Sequence, residues 1–325
     1  ISFILIFISC SFLNGLTLWK TTKFCASLGE KISTNLFNHY LNQSYTFFAN
    51  SDISSISKNL LQESVSLSES IFMPMLQIMS RLIILILISI LLIKVNMQAF
   101  IFSIALLAII YFTIFKSIKN KLKTFGEERL MANDLLFKST HDCFKSIKDV
   151  KFYEAEDYYK SIFSSAQKNF LNLTAKNIIL STIPRYIIEI VAFGSIFSII
   201  IYFQYIGVDL SQHTPTIALF ILAAYRLLPS AQQIFAFSSA IRFHLPALDL
   251  IYNDMQTNNK SNIQLNINNQ DDDIVFNQVS FAYELSKNIF NNITFNIKKS
   301  STTAIIGSTG IGKTTLIDLL LGFYN

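Results

Sequence analysis

Unbroken apolar runs set the pattern of this chain. Five are long enough to cross a bilayer as helix, which takes about 20 residues. They are residues 1–19, about 71–93, 98–115, about 178–206 and 214–236. The run from Leu82 to Ile93, LIILILISILLI, has no polar face, whereas a surface helix of a soluble domain carries one. The alternative, a set of buried helices in a soluble core, is disfavoured on that ground. The first run ends at Trp19-Lys20, an aromatic and a cation suited to a membrane interface.

Two long segments between the runs mix polar and apolar residues without a breaker. Residues 20–70 contain no Pro and only Gly29, and residues 116–176 contain no Pro and only Gly126. Each reads as a helical hairpin whose arms reach ~35–45 Å, with turns near Ser44–Ser54 and Ser146–Tyr158. Lys116, Lys119, Lys121 and Lys123 follow the third run, and Lys168 and Lys176 precede the fourth. The loops at 95–98 and 207–213 carry no Lys or Arg. The positive-inside rule therefore puts the hairpins in the cytoplasm. The fold class expected is mainly α: a polytopic transmembrane helical bundle over residues 1–256 with long cytoplasmic helical extensions.

The period changes after this. Residues 257–273, TNNKSNIQLNINNQDDD, read as a linker. From Ile274 the pattern alternates: Val275, Val279, Phe281 and Tyr283 form one strand face, and Ile293, Phe295 and Ile297 another. Lys298-Lys299-Ser300-Ser301 reads as a turn, Thr303-Ala304-Ile305-Ile306 as a short buried strand, and Thr315–Leu321 as a helix. Residues 274–325 are thus expected to be the start of an α/β domain.

Composition sharpens this division. Apolar types make up 51% and charged types 14%, against roughly 25% charged in a soluble domain, which excludes a disordered chain and an ordinary cytosolic enzyme. Four of the nine glycines (Gly307, Gly310, Gly312, Gly322) fall in the last nineteen residues. The net charge of +5 is mild and forms no continuous nucleic-acid stripe. Cys10, Cys25 and Cys143 lie far apart and suggest neither a zinc site nor a disulfide framework. His39, His141, His213 and His244 show no metal spacing. Three N-x-[ST] matches, at Asn42, Asn172 and Asn292, all lie on the expected cytoplasmic side.

The chemistry concentrates in Gly307-Ser308-Thr309-Gly310-Ile311-Gly312-Lys313-Thr314. This is GxxxxGK[ST] between an expected strand and an expected helix, the context that gives the motif its meaning. Glycines let successive N–H groups point inward at phosphate oxygens, and the helix N-terminus adds favourable partial charge. Lys313 supplies a cation to the β- and γ-phosphates, the Thr314 hydroxyl is placed to ligate Mg²⁺, and Thr315 completes the loop. The cofactors implied are ATP and Mg²⁺.

Helical spans, a linker, then Phe276-Asn277-Gln278-Val279-Ser280-Phe281-Ala282-Tyr283, Asn292–Ile297 and the phosphate loop resemble an ATP-binding cassette exporter of the half-transporter type. The resemblance implies that Tyr283 stacks on adenine, or else serves as an ordinary strand aromatic. It implies two cytoplasmic turns resting on the nucleotide-binding domain, six membrane helices per half, and a second half as partner, expected to be a second copy. It also implies a multi-pass protein of a bacterial inner membrane. The family usually has Gly where this chain has Ser300. By the same resemblance the chain reads as a piece, lacking one span before Ile1 and the signature motif, Asp-Glu pair and switch His after Asn325. No catalytic residue for hydrolysis is expected within it.

Thr182–Glu189, Ala223–Ala231 and Leu245–Asp249 further resemble segments of PglK-type flippases, which move lipid-linked oligosaccharides. The alternatives are export of a peptide or drug, and a membrane nucleotide sensor that transports nothing. An ionisable residue inside a span is a functional candidate. Counting along the helices places Arg226 and Arg81 ~18–20 Å below the outer edge of a ~30 Å core, and Arg185 ~31 Å below it. Guanidinium forks match phosphate oxygens, so these three arginines are candidates to line a cavity for a lipid pyrophosphate. The competing reading pairs Arg185 with Glu189 and Arg81 with Gln77.

Overall fold

The structure is a computed structural model that describes residues 2–95, 97–206, 210–257, 273–283 and 288–324. In chain order its helices are α1 (Ser2–Leu41), α2 (Tyr45–Asn50), α3 (Ile53–Lys58), α4 (Ser64–Leu67), α5 (Met73–Val95), α6 (Met97–Lys145), α7 (Ile147–Phe152), α8 (Glu156–Ile206), α9 (Leu210–Gln256) and α10 (Lys313–Leu320). Two strands, β1 (Ile274–Phe281) and β2 (Phe290–Ile297), lie between α9 and α10. The chain divides into two compact units, Ile1–His39 with Asp52–Thr257, and Tyr40–Ser51 with Asn258–Asn325.

The first unit is all helix. α6, α8 and α9 hold 49, 51 and 47 residues. At ~1.5 Å per residue each is over twice the ~30 Å of a hydrocarbon core. The five apolar runs fall within α1, the stretch leading through α5, α6, α8 and α9. Among the described residues, Ile53–Lys94 and Ile221–Gln256 are long and apolar enough to cross a membrane. Asn96, 207–209 and the expected linker between Thr257 and Asp273 lie outside the described residues.

The hairpin turns sit where breaker-free helices run out. α1 stops at Leu41, and the next long helix begins at Asp52, whose carboxylate accepts the Ser54 N–H at 2.9 Å as an N-cap. Between α7 and α8, Glu154 takes φ +52° and the Ala155 N–H closes on the Val150 carbonyl at 2.9 Å. α3, α4 and α5 run on as one helix through two π-helical turns, Asn59–Glu63 and Ser68–Phe72, because the junction residues all keep right-handed helical backbone.

Burial is uneven along these helices. Leu36, Leu67, Leu122, Leu173, Phe243 and Ala247 are buried, and all lie outside the apolar runs. Within the runs, Ile83, Leu87, Phe112, Ile190 and Leu222 remain exposed, as side chains that face lipid would be. α6 and α9 come into close contact at Gly126, where an added Cβ would stand 2.0 Å from the Phe243 carbonyl oxygen. The same region buries charge. Arg129 Nη2 meets Glu63 Oε2 at 2.5 Å, and Asn133 Nδ2 donates to Glu63 Oε1 at 2.7 Å. Buried Lys58 pairs with Asp134. A buried carboxylate is tolerated only when so compensated.

The second unit holds the β-hairpin, α10 and the short α2. β1 and β2 are antiparallel, with Phe276 opposite Phe295 and Phe281 opposite Phe290. The expected strand face changes in detail. Phe276, not Val275, is buried and stacks on Phe295 at 4.5 Å, while Val275 is exposed. A bulge at Gln278, with φ +51°, shifts the register so that Val279 and Phe281 take over the inner face. The strand expected at Thr303–Ile306 is not formed. Among the described residues no strand lies beside it to complete a ladder, and Ile306 is 92% exposed.

Candidate functional site

The segment after β2 turns at Lys298–Ser301, where the Ser301 N–H reaches the Lys298 carbonyl at 3.2 Å. Ser300 adopts φ +53° there, a left-handed position that costs an L side chain energy and that glycine occupies without strain. The chain then runs exposed to Gly307 and coils through Ser308, Thr309, Gly310 and Ile311 into α10. Gly310 has φ +86° and Gly312 φ +103°. Gly312 has a second constraint: an added Cβ would stand 3.0 Å from Phe290 Cζ and 3.1 Å from Ile289 Cγ2. The hairpin therefore holds the loop from beneath, and neither glycine position suits a side chain.

Gly312 is the N-cap of α10 and offers no side-chain cap. The Leu316 N–H begins the helical ladder by bonding the Gly312 carbonyl at 2.9 Å. The N–H groups of Lys313, Thr314 and Thr315 precede that first bond and so belong to the open end of the helix. Lys313 bends back over the loop, its Nζ donating to the Gly307 carbonyl at 2.7 Å and the Ser308 carbonyl at 2.8 Å. Thr314 is exposed beside it and Thr315 is buried. The arrangement sets the open N-terminus of α10 beside one cation held at two loop carbonyls, which is suited to a polyanion.

Tyr283 lies against the same helix. Its hydroxyl and Thr315 Oγ1 are 3.1 Å apart, and the residue is 52% exposed. Its ring also meets Phe281 at 5.2 Å and Tyr324 at 5.2 Å, both edge to face. Tyr324 in turn meets Tyr45 of α2 at 5.5 Å. The contacts of Phe323 and Tyr324 with Tyr45 depend on α2 being folded beside them.

One of the three arginines lines a cavity. Arg185 lines a cavity of about 520 Å³ between α8 and α9, together with Ser181, Thr182, Glu189, Tyr225, Leu228, Pro229, Gln232, Gln233 and Ala236. Its Nε donates to Glu189 Oε1 at 2.9 Å, and Gln232 Nε2 donates to the same oxygen at 3.1 Å. Arg185 is thus ion-paired, as its i,i+4 spacing allowed. Arg81 and Arg226 are not among the residues lining this cavity. Arg81 keeps its Nε buried with no partner among the described residues, and Arg226 is exposed.

Comparison with known proteins places these observations. The profile of the ABC transporter transmembrane region matches residues 1–228, and that of the ABC transporter domain matches residues 290–325. The chain is 29% identical over 188 residues to the heterocyst differentiation ATP-binding protein HepA of a Nostoc species, covering 55% of this chain and 30% of that protein. It is 27% identical over 183 residues to an ATP-dependent lipid A-core flippase of Saccharophagus degradans, covering 56% of this chain and 30% of that protein. The chain therefore spans under a third of the length of these curated relatives. The structure of a bacterial Atm1-family ABC exporter with ATP bound superposes with a TM-score of 0.79 at 15% identity, over 98% of this chain and 56% of that one. At that identity the likeness establishes the fold. The profile match to the membrane region takes in well over half of the residues, and by it this chain belongs to the ABC transporter family.

Proposed function

We propose that the chain is the membrane part and opening cassette segment of an ATP-driven exporter that flips a lipid-linked oligosaccharide across a bacterial inner membrane, working as a dimer of two such halves. The observation that carries the nucleotide reading is the geometry at α10. Two left-handed glycines, an uncapped helix start and Lys313 held across the loop mouth form a cradle that fits a triphosphate. The N–H groups from Gly307, Ser308, Thr309, Gly310, Ile311 and Gly312 through Thr315 would hold phosphate oxygens, and Lys313 would exchange its two carbonyl partners for the β- and γ-phosphates. Thr314 would ligate Mg²⁺, and Tyr283, itself half exposed, would cover the adenine. ATP, when bound, supplies the free energy of phosphoryl transfer. The chain's own residues position and neutralise its phosphates.

The substrate reading rests on different support. A relative named as a lipid A-core flippase matches more than half of the chain, and the segments around Arg185 and Tyr225 resemble PglK-type flippases. Arg226 is exposed, with no side-chain partner among the described residues, and is the arginine left to meet a lipid pyrophosphate. Arg81 would serve as a second, deeper cation. Nothing in the charge pattern favours nucleic acid as a partner.

The test is reconstitution of the protein in proteoliposomes with a fluorescent lipid-pyrophosphate oligosaccharide. ATP-dependent movement of that lipid, lost in Lys313→Ala and reduced at least about tenfold in Arg226→Ala, supports the reading. Transport of a peptide or a neutral drug with no movement of the lipid overturns the substrate assignment, and a Lys313→Ala protein that transports normally overturns the nucleotide mechanism.

A further inference from the structure

We infer that the cavity between α8 and α9 is a recognition site for an uncharged, hydroxyl-rich group, a sugar ring, and not for the phosphate of the ligand. The inference rests on the flippase reading and assigns the saccharide to its own site, apart from Arg226.

Charge is the first argument. Arg185, the cation in the cavity wall, is held by Glu189 at 2.9 Å. The pair carries no net charge, so an anion entering the cavity meets repulsion from Glu189 along with attraction to Arg185. The geometry of the pair is the second. Glu189 Oε1 takes both the Arg185 Nε–H and the Gln232 amide. Among the described residues Oε2 of Glu189 and the two terminal nitrogens of Arg185 take no partner. A donor edge and an acceptor oxygen thus stand side by side, matching adjacent hydroxyls that each donate and accept.

The rest of the lining agrees. Gln233 lines the cavity, and its Oε1 is buried with no partner among the described residues, a cost that a ligand hydroxyl removes. Thr182 adds a hydroxyl, Ser181, whose hydroxyl donates to the Ile178 carbonyl at 2.9 Å, adds an acceptor oxygen, and exposed Tyr225 offers an apolar face for the C–H side of a sugar. Pro184 in α8 and Pro229 in α9 lack an N–H, which leaves the Leu180 and Tyr225 carbonyls without their usual helical donors. The volume, about 520 Å³, lies within the ~300–1,000 Å³ typical of small-ligand sites.

The experiment measures equilibrium binding to the purified protein in nanodiscs of n-decyl maltoside below its micelle concentration, free maltose, decyl phosphate and a neutral dipeptide. The wild type is expected to bind decyl maltoside at least about tenfold more tightly than decyl phosphate. Glu189→Gln is expected to lose about tenfold for the maltoside and, with Arg185 uncompensated, to gain for decyl phosphate. Gln233→Leu, which keeps the ion pair, is expected to weaken the maltoside alone. Tighter binding of decyl maltoside than of maltose points to a lipid headgroup and the reverse to a free saccharide, and either supports a sugar site. Preference of the wild type for decyl phosphate or the dipeptide, or maltoside binding unchanged in both variants, overturns the inference. If the maltoside results hold while no lipid-linked oligosaccharide moves in proteoliposomes, the transport reading fails and the sugar site stands. If that lipid moves and the variants bind sugar normally, the site fails and the transport reading stands.

Discussion

The ring of Tyr45, in the short helix after α1, stacks on Phe323 with centroids 4.7 Å apart and planes inclined by 22°. Tyr324 adds an edge contact at 5.5 Å and carries the cluster on to Tyr283, beside the phosphate loop. An unbroken set of aromatic contacts therefore joins the helix after α1 to the residue proposed to cover adenine. Such pairs contribute about 0.5–1.5 kcal/mol beyond burial. A double-mutant cycle of Tyr45→Ala and Phe323→Ala, read by thermal unfolding, is expected to return a coupling energy in that range. Strict additivity of the two single changes would show that the stack contributes nothing.

The pair formed by Glu63 and Arg129 is predicted to matter most when half of it is removed. Both side chains are buried, and they meet at 2.5 Å. Arg129→Met leaves a buried carboxylate with Asn133 as its remaining bonded side chain besides solvent-free packing, and is expected to cost about 3–5 kcal/mol. Adding Glu63→Leu should recover most of that loss. Denaturation monitored in detergent checks both, and a double variant less stable than Arg129→Met alone would contradict the account.

Ser300 gives a prediction of opposite sign. Its φ of +53° strains an L residue by about 1–2 kcal/mol. Glycine relieves this but raises the entropy of the unfolded chain by an equivalent of about 0.5–1 kcal/mol. Ser300→Gly is therefore expected to stabilise the second unit by about 0.5–1 kcal/mol, read as a higher denaturation midpoint.

Asp52 sets an acid limit on the first hairpin. The Ser54 hydroxyl, bonded to its carboxylate, holds its pKa below the ordinary value, with help from the Ser54 N–H, Lys138 and His141. A depressed carboxylate stabilises the fold fully above its unfolded pKa of about 3.9, and that stability is lost as pH falls through the lower folded value. Asp52→Asn is expected to lower stability above about pH 4 by this contribution and to flatten the acid limb below it. An unaltered acid limb would remove Asp52 from the account.

How much of this was legible in the sequence differs by kind of interaction. The long helices and their turns follow from apolar runs and breaker-free stretches, because span length and helix continuity are local properties. The phosphate loop is local too: Gly310 and Gly312 take the left-handed backbone their identity permits. The pairing of Arg185 with Glu189 was visible from i,i+4 spacing, but Gln232, 43 residues away, was not. Glu63 and Arg129 are 66 positions apart and meet only because α6 packs beside the π-helical turn. On β1 strict alternation misassigned Val275, since the bulge at Gln278 changes which face follows. Thr303–Ile306 has strand composition, but a strand also needs a neighbour to bond, which composition does not supply.

On the proposed reading the loop before α10 holds a triphosphate through Lys313, and ATP drives movement of a saccharide lipid. Its most direct measurement is ATP-dependent flipping of a lipid-pyrophosphate oligosaccharide in proteoliposomes, compared between the wild type and Lys313→Ala. Movement is expected in the first and none above the ATP-free background in the second, at equal reconstituted protein. Equal rates in the two would contradict that reading.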